Sequence, residues 1–282
     1  MARCSFTLLL FLACAFTALG QQTADDIRRK FLQVPPSTVL VAAHRAAHKK
    51  YPENSLKAIT EAIRLGVDII EIDVKVSKDG VPFLMHDRTM DRTTNGKGDP
   101  EALTWAELQQ YFIVDKGKRT SLRIPSLEDA LKLAEGKVMV DLDIKTDRVD
   151  DVIRMVKKTG TENIVFFFDS DFQVLSRIRA AGKDLMIMPR AHSYTQADSA
   201  LLLFDASVVH IDFSFYTPEC TQLIHNNDAR VWINALGDID ADLIRGKQKR
   251  ALKKLLKDGA DIVQTDEPEL LLKILSENGY RP

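Results

Sequence analysis

Glu71 and Asp73 stand two apart in the run Asp68–Val76 (DIIEIDVKV). On a β-strand that spacing puts both carboxylates on one face, while Ile70, Ile72 and Val74 bury the other. Two carboxylates pointing into an interior repel each other and lose hydration unless something positive joins them. A divalent cation is the simplest partner for such oxygen ligands. Asp141, Asp143 and Lys145 repeat the spacing on a second run, and Asp143 supplies a third carboxylate.

Two histidines close neighbouring runs. His44, followed at once by Arg45, ends TVLVAAH, and His86 ends VPFLMH. The turn Ser77-Lys78-Asp79-Gly80 marks a hairpin between Val74 and His86. A two-residue loop at Lys78-Asp79 makes His86 face Glu71; one at Asp79-Gly80 makes it face Asp73. Histidines flanking a carboxylate–metal centre suit an acid and a base on opposite sides of a scissile bond. Arg45 and Lys145 add cationic donors suited to a phosphate. Together these point to phosphodiester hydrolysis. A sugar-cleaving pair needs two carboxylates several Å apart and no cation cluster.

The elements that position these residues alternate. Strand-like runs (38–44, 68–76, 81–86, 137–144, 163–168, 185–188, 207–211, 230–235 and 261–264) are separated mostly by amphipathic stretches such as 54–65, 172–181 and 247–257. Thr104-x-x-Glu107 and Ser126-x-x-Asp129 read as helix starts. Strand–helix alternation means right-handed βαβ units and a parallel sheet. A (β/α)8 barrel, which uses about 250 residues, is the expected fold, with one of the nine runs a hairpin partner outside the barrel. An open doubly wound sheet is the rival, but no Gly-x-Gly-x-x-Gly or P-loop follows any strand. In a barrel, the ends of the strands are where reactive residues gather. Residues 88–122 are polar and poor in strand signals, and read as an insertion after the second barrel strand.

Composition bounds the class. The chain has 282 residues, 45% of them hydrophobic, and a formal charge of −1. That is a globular profile, without the basic excess of a nucleic-acid binder. Residues 1–20 (MARCSFTLLLFLACAFTALG) carry a basic start, an apolar run and small residues before a cut, as a secretory signal peptide does. The run is short of the roughly 20 residues of a membrane span. An uncleaved anchor and a lipoprotein cut before Cys14 are the weaker readings. Cleavage removes Cys4 and Cys14 and leaves Cys220 alone. The expectation is therefore an exported, periplasmic or secreted protein (residues 21–282) with no internal disulfide and no transmembrane helix.

The ordered motifs resemble the glycerophosphodiester phosphodiesterase family. They are His44-Arg45, Pro52-Glu53-Asn54, Gly66-Val67-Asp68 leading to Glu71-x-Asp73, Lys78-Asp79-Gly80 and His86-Asp87. Asp91-Arg92-Thr93-Thr94-Asn95, Ile124-Pro125-Ser126-Leu127, Asp143-x-Lys145, Val231-Trp232 and Thr265-Asp266-x-Pro268 follow. The resemblance implies a (β/α)8 barrel with a small insertion, a divalent metal, and hydrolysis of small-molecule glycerophosphodiesters to sn-glycerol 3-phosphate and an alcohol; the oxygen ligands point to Ca2+ or Mg2+. It implies Glu71, Asp73 and Asp143 as metal ligands, and His44 and His86 as the acid/base pair. It implies Arg45 and Lys145 on the phosphate, Glu53 and Asn54 in support, and Trp232 at the substrate mouth. Two positions depart from the family pattern: Asp143 replaces a glutamate, and Ala46 replaces the glycine after His-Arg. A lipid-cleaving phospholipase D-like relative and a non-catalytic phosphodiester binder are the rival functions.

Overall fold

The computed structural model describes residues 22–282, so the leader reading lies outside the described residues. Eleven strands are described: β1 Leu40–Ala43, β2 Ile69–Val76, β3 Pro82–Leu84, β4 Phe112–Asp115, β5 Lys118–Arg123, β6 Met139–Ile144, β7 Val165–Asp169, β8 Met186–Ala191, β9 Val208–Ile211, β10 Arg230–Asn234 and β11 Ile262–Thr265. The helices are α1 Ala24–Leu32, α2 Leu56–Leu65, α3 Trp105–Leu108, α4 Leu127–Ala134, α5 Val149–Thr159, α6 Phe172–Ala181, α7 Tyr194–Phe204, α8 Pro218–Asn226, α9 Asp238–Ile244, α10 Gln248–Leu256 and α11 Pro268–Glu277.

Eight strands, β1, β2 and β6 to β11, pair in parallel, and β1–β2 and β1–β11 pairings close them into a (β/α)8 barrel. The ninth run, β3, pairs only with β2 and is antiparallel. Capping follows the sequence: Thr104 and Glu107 form a capping box at α3, Ser126 caps α4 through the Asp129 amide, and Gly66 ends α2 in the left-handed region.

The β2–β3 hairpin corrects one expectation. Its loop has three residues, Lys78-Asp79-Gly80, with Gly80 at φ +91° and the Ser77 amide donating to the Val81 carbonyl at 3.0 Å. A three-residue loop ending on a left-handed glycine is the usual alternative to a two-residue turn. Val74 therefore pairs with Leu84, and continuing that register sets His86 level with Ile72, facing neither Glu71 nor Asp73.

Residues 88–122 contain more strand than their polarity suggests. The β4–β5 hairpin turns at Lys116-Gly117, both at positive φ, and the Arg119 and Arg123 guanidinium groups lie 3.9 and 3.4 Å from the Phe112 ring centre. A mostly exposed hairpin of this kind shows little apolar alternation. The segment has its own small core of Phe83, Met85, Met90, Leu108 and Ile124. Glu101 pins it to the barrel rim by accepting from the Val76 amide and the Thr146 hydroxyl.

The floor of the barrel is sealed by α1. Ile27 and Phe31 pack against inward-facing Leu40, Ile69, Met139, Phe166, Val208 and Ile262. Phe31 stacks on Phe166 with ring centres 5.2 Å apart. Arg230 is fully buried, paired with Asp261 at 3.1 Å, and donates to the Lys30 and Thr38 carbonyls, which fastens the end of α1. Asp68, at the base of β2, accepts from Gln22 at 3.0 Å, from the Val41 amide at 2.8 Å and from Arg281 at 2.7 Å, so it ties both ends of the described chain to the floor.

Because Phe31 fills the floor without exposure, Phe31→Ala is expected to cost about 3–5 kcal/mol. A urea melt checks this; a midpoint equal to wild type would show the floor does not need the ring.

Candidate active site

Parallel pairing of β2 with β6 puts Glu71 beside Asp141 and Asp73 beside Asp143. All four side chains point into the barrel, above the apolar floor. Oxygens of Glu71, Asp73 and Asp143 lie within 4.8 Å of one another, the spacing at which one cation can be shared. Glu71, Asp73 and Asp141 are almost wholly buried. Burial and mutual repulsion push Glu71 and Asp141 well above the usual carboxylate range, and burial lifts Asp143 to about 6. Asp141 Oδ1 has no hydrogen-bond partner. A buried carboxylate cluster of this kind fits a divalent ion: hard oxygen donors converge, and three carboxylates are held above their normal range by burial and by one another.

Cations and amides brace the cluster from the rim. Lys145 Nζ lies 2.7 Å from Asp143 and 3.7 Å from Asp73. Arg45 Nε is 3.5 Å from Asp73, and Arg45 Nη1 is 2.9 Å from Glu53. Asn54 donates to Asp73 Oδ2 at 2.7 Å and accepts from the Asp73 amide at 3.1 Å. Past β1 the backbone enters the left-handed region at Arg45 and Ala46, which turns the Arg45 amide onto Glu71 Oε2 at 2.7 Å. Ala46 stands where the family pattern has glycine. Its methyl group is buried in the core although the backbone stands at φ +62°.

His44 and His86 are each bonded to a carboxylate. His44 Nδ1 is 2.7 Å from Asp266 Oδ1, which turns Nε2 toward Glu71 at 4.0 Å. The same Asp266 oxygen is 2.8 Å from His48 Nε2. These two hydrogen bonds hold Asp266 far below the ordinary carboxylate range. His86 Nδ1 is 2.7 Å from Asp87, and Arg92 grips Asp87 and Glu53 together. His86 borders the cluster on the side of Glu53 and Asn54, with which it lines a small pocket under the insertion.

Glu71, Asp73, Asp143, His44, Arg45, Lys145, Glu53 and Asn54 thus converge, and His86 borders them. Trp232 does not line the mouth. Its indole is fully buried above the floor, edge-on to Phe166 at 6.0 Å, and donates to Asn234 at 3.0 Å. It sits on an inward position in the middle of β10, too deep to reach solvent. The sequence assigns no function to Asp87, Arg92 or Asp266, which stand in its motifs, nor to His48. Asp266 follows the last residue of β11, so the strand-end rule points to it; no local pattern marks the other three as partners.

A family model described as the glycerophosphoryl diester phosphodiesterase family matches residues 44–270. The chain belongs to that family. It is a glycerophosphodiester phosphodiesterase, a phosphoric diester hydrolase. A glycerophosphodiester phosphodiesterase from Caldanaerobacter subterraneus is 27% identical, over 85% of this chain and 99% of that one. The fold matches a solved glycerophosphoryl diester phosphodiesterase from Parabacteroides distasonis at a TM-score of 0.74, with 24% identity, 90% of this chain and 92% of that one covered. It also matches a phosphodiesterase from Oleispira antarctica solved with the product sn-glycerol-3-phosphate, at a TM-score of 0.71 and 23% identity, covering 85% of this chain and 97% of that one.

The raised carboxylates set a pH dependence for the cation-free protein. Folded Asp143 keeps its proton to about pH 6, whereas an unfolded aspartate releases it near 3.8. Folding takes up a proton in that window, so this stabilisation is full below about pH 4 and is lost as pH rises through 6. In EDTA, the urea midpoint of wild type relative to Asp143→Asn is expected to fall from pH 4.5 to 6.5, and excess Ca2+ or Mg2+ to reverse the fall. A difference independent of pH would refute the shift.

Proposed function

We propose that this phosphodiesterase is metal-dependent, works by histidine acid/base catalysis, and releases sn-glycerol 3-phosphate and an alcohol. The observation that carries the reading is the convergence of Glu71, Asp73 and Asp143 within 4.8 Å, with His44 Nε2 4.0 Å from Glu71. Glu71, Asp73 and Asp143 would hold one divalent cation. Bound there, it would supply charge to a phosphate oxygen and make the phosphorus a better electrophile. The oxygen donor set suits Ca2+ or Mg2+.

The chain's own residues supply the rest. Lys145 and Arg45 present their cations to the remaining phosphate oxygens. Asp266 Oδ1 accepts from both His44 Nδ1 and His48 Nε2, so neutral His44 carries its lone pair on Nε2. That atom faces the cluster and takes the proton of the nucleophile, water or the 2-hydroxyl of the glycerol. His86, held at Nδ1 by Asp87, gives a proton from Nε2 to the departing alkoxide. The same bound proton count is restored when the two imidazoles exchange protons with solvent.

The phospholipase reading gains no support from α10. The basic helix α10 turns Ala251, Leu252 and Leu255 inward, so its apolar face is already spent on the barrel. Among the described residues no helix is long and apolar enough to cross a membrane. Export with removal of residues 1–20 completes the proposal; N-terminal sequencing of the secreted or periplasmic protein tests it, and retention of Met1 there overturns it.

The catalytic test uses release of glycerol 3-phosphate from glycerophosphodiesters. EDTA should abolish release, and Ca2+ or Mg2+ should restore it. His44→Ala and His86→Ala should each lose about 10²–10⁴ in kcat. A 4-nitrophenyl leaving group needs no acid, so it should rescue His86→Ala and leave His44→Ala impaired. Undiminished turnover in EDTA, or rescue of both variants alike, would sink the assignment.

A further inference from the structure

The carboxylate cluster occupies only the β1, β2 and β6 side of the mouth. Opposite it, the ends of β8, β9 and β10 frame a cleft of about 280 Å³ lined by Arg190, His210, Asp212, Asn234, Asp238 and Lys254. Phe168 joins the two halves. It is the register neighbour of Asp143 on β7, and its ring lies 5.3 Å from that of His210. A phosphodiester lying on Asp143 and Lys145 has Phe168 beside it on the β7 side. An alcohol arm directed past Phe168 enters this cleft.

The cleft holds polar groups with nothing to bond. His210 is 3% exposed, and its Nδ1 is buried without a partner. Burial and the Arg190 charge push His210 down to about 3, so it is a neutral ring able to donate or accept. Arg190 gives Nη2 to Asp212 at 2.6 Å, but its buried Nε has no partner. Asn234 spends Oδ1 on the Trp232 indole, which leaves its amide hydrogens as donors without a protein partner. Leaving buried polar groups unpaired costs stability unless a ligand or water pairs them.

The charges in the cleft balance. Arg190 and Lys254 face Asp212 and Asp238, and Asp212 is also bonded by His192 Nδ1 at 2.6 Å. A quaternary ammonium group needs bare aromatic faces. Here Lys254 Nζ already lies 5.2 Å over the Phe213 ring, and Phe168 faces His210. A neutral polyhydroxy alcohol is different: each hydroxyl both donates and accepts, and matches paired donors and carboxylates without adding net charge.

We propose that this cleft is the alcohol subsite and that Arg190, His210 and Asn234 select a polyhydroxy headgroup, such as glycerol or an inositol ring, over choline. The inference rests on the phosphodiesterase reading above and names its substrate class. It also places Trp232 behind the subsite, where it orients Asn234.

The test compares kcat/KM for glycerophosphoinositol and bis(glycero)phosphate with that for glycerophosphocholine, in wild type, Arg190→Met and Asn234→Leu. Wild type should favour the polyol diesters by about tenfold or more, the yield of one or two buried hydrogen bonds. Both variants should lose that preference, mainly through KM. Equilibrium binding of the same diesters in EDTA should give the same ranking without turnover. A choline diester used and bound as well as the polyols, or a preference intact in Arg190→Met and Asn234→Leu, overturns the inference. Absence of hydrolysis from every diester would instead count against the catalytic reading, and the binding ratio would still decide this one.

Discussion

Four carboxylates from two adjacent strands share one end of the barrel, and the rest of the site answers to their repulsion. The crowding follows from the parallel register of β2 and β6, which brings two i, i+2 pairs level with each other. On the rim the positions facing them are taken by Lys145, Arg45 and Asn54, and by a backbone amide aimed through a left-handed turn. Lys75 is buried one layer higher and gives its ammonium to the Lys145 carbonyl and to Glu101. Even with these neighbours the cluster stays short of positive charge, and burial, then mutual repulsion, raises Glu71 and Asp141. The fold thus stores an electrostatic deficit at the place where a cation and a phosphate are to meet.

The histidines show a second layer of the same logic. Each has one nitrogen committed to a carboxylate, and each carboxylate is committed in turn: Asp266 to His48 and Lys49, Asp87 to Arg92. The imidazoles are therefore fixed in orientation by groups that do not touch the carboxylate cluster. Arg92 belongs to the insertion and also holds Glu53, so residues 88–122 act on the site through an ion-pair chain that ends on Arg45.

Much of this was legible in the sequence because it depends on period-two spacing and on strand ends. Glu71, Asp73 and Asp143 follow from alternation alone, and the barrel follows from the repeated strand–helix pattern. What escaped depends on three-dimensional closure. The hairpin register turned on whether the loop held two or three residues, which Ser77 decides by bonding to Val81 from both backbone and side chain. Trp232 matched a motif, yet a motif does not say how deep along β10 a side chain sits. The β4–β5 hairpin escaped because an exposed strand pair needs no apolar stripe. The links of Arg92 to Asp87 and Glu53, and of His48 to Asp266, join residues far apart or differently placed in the chain, and no spacing rule reveals them.

The Asp68 carboxylate holds Gln22 and Arg281 against the same face of the barrel. The first and last described residues thus leave the molecule together, on the side away from the catalytic opening. Either end can be attached to a bead, a lipid tail or a second protein with the substrate entrance pointing outward. Held by one carboxylate, residues 22 and 281 are also near enough for a short linker to join them on that side.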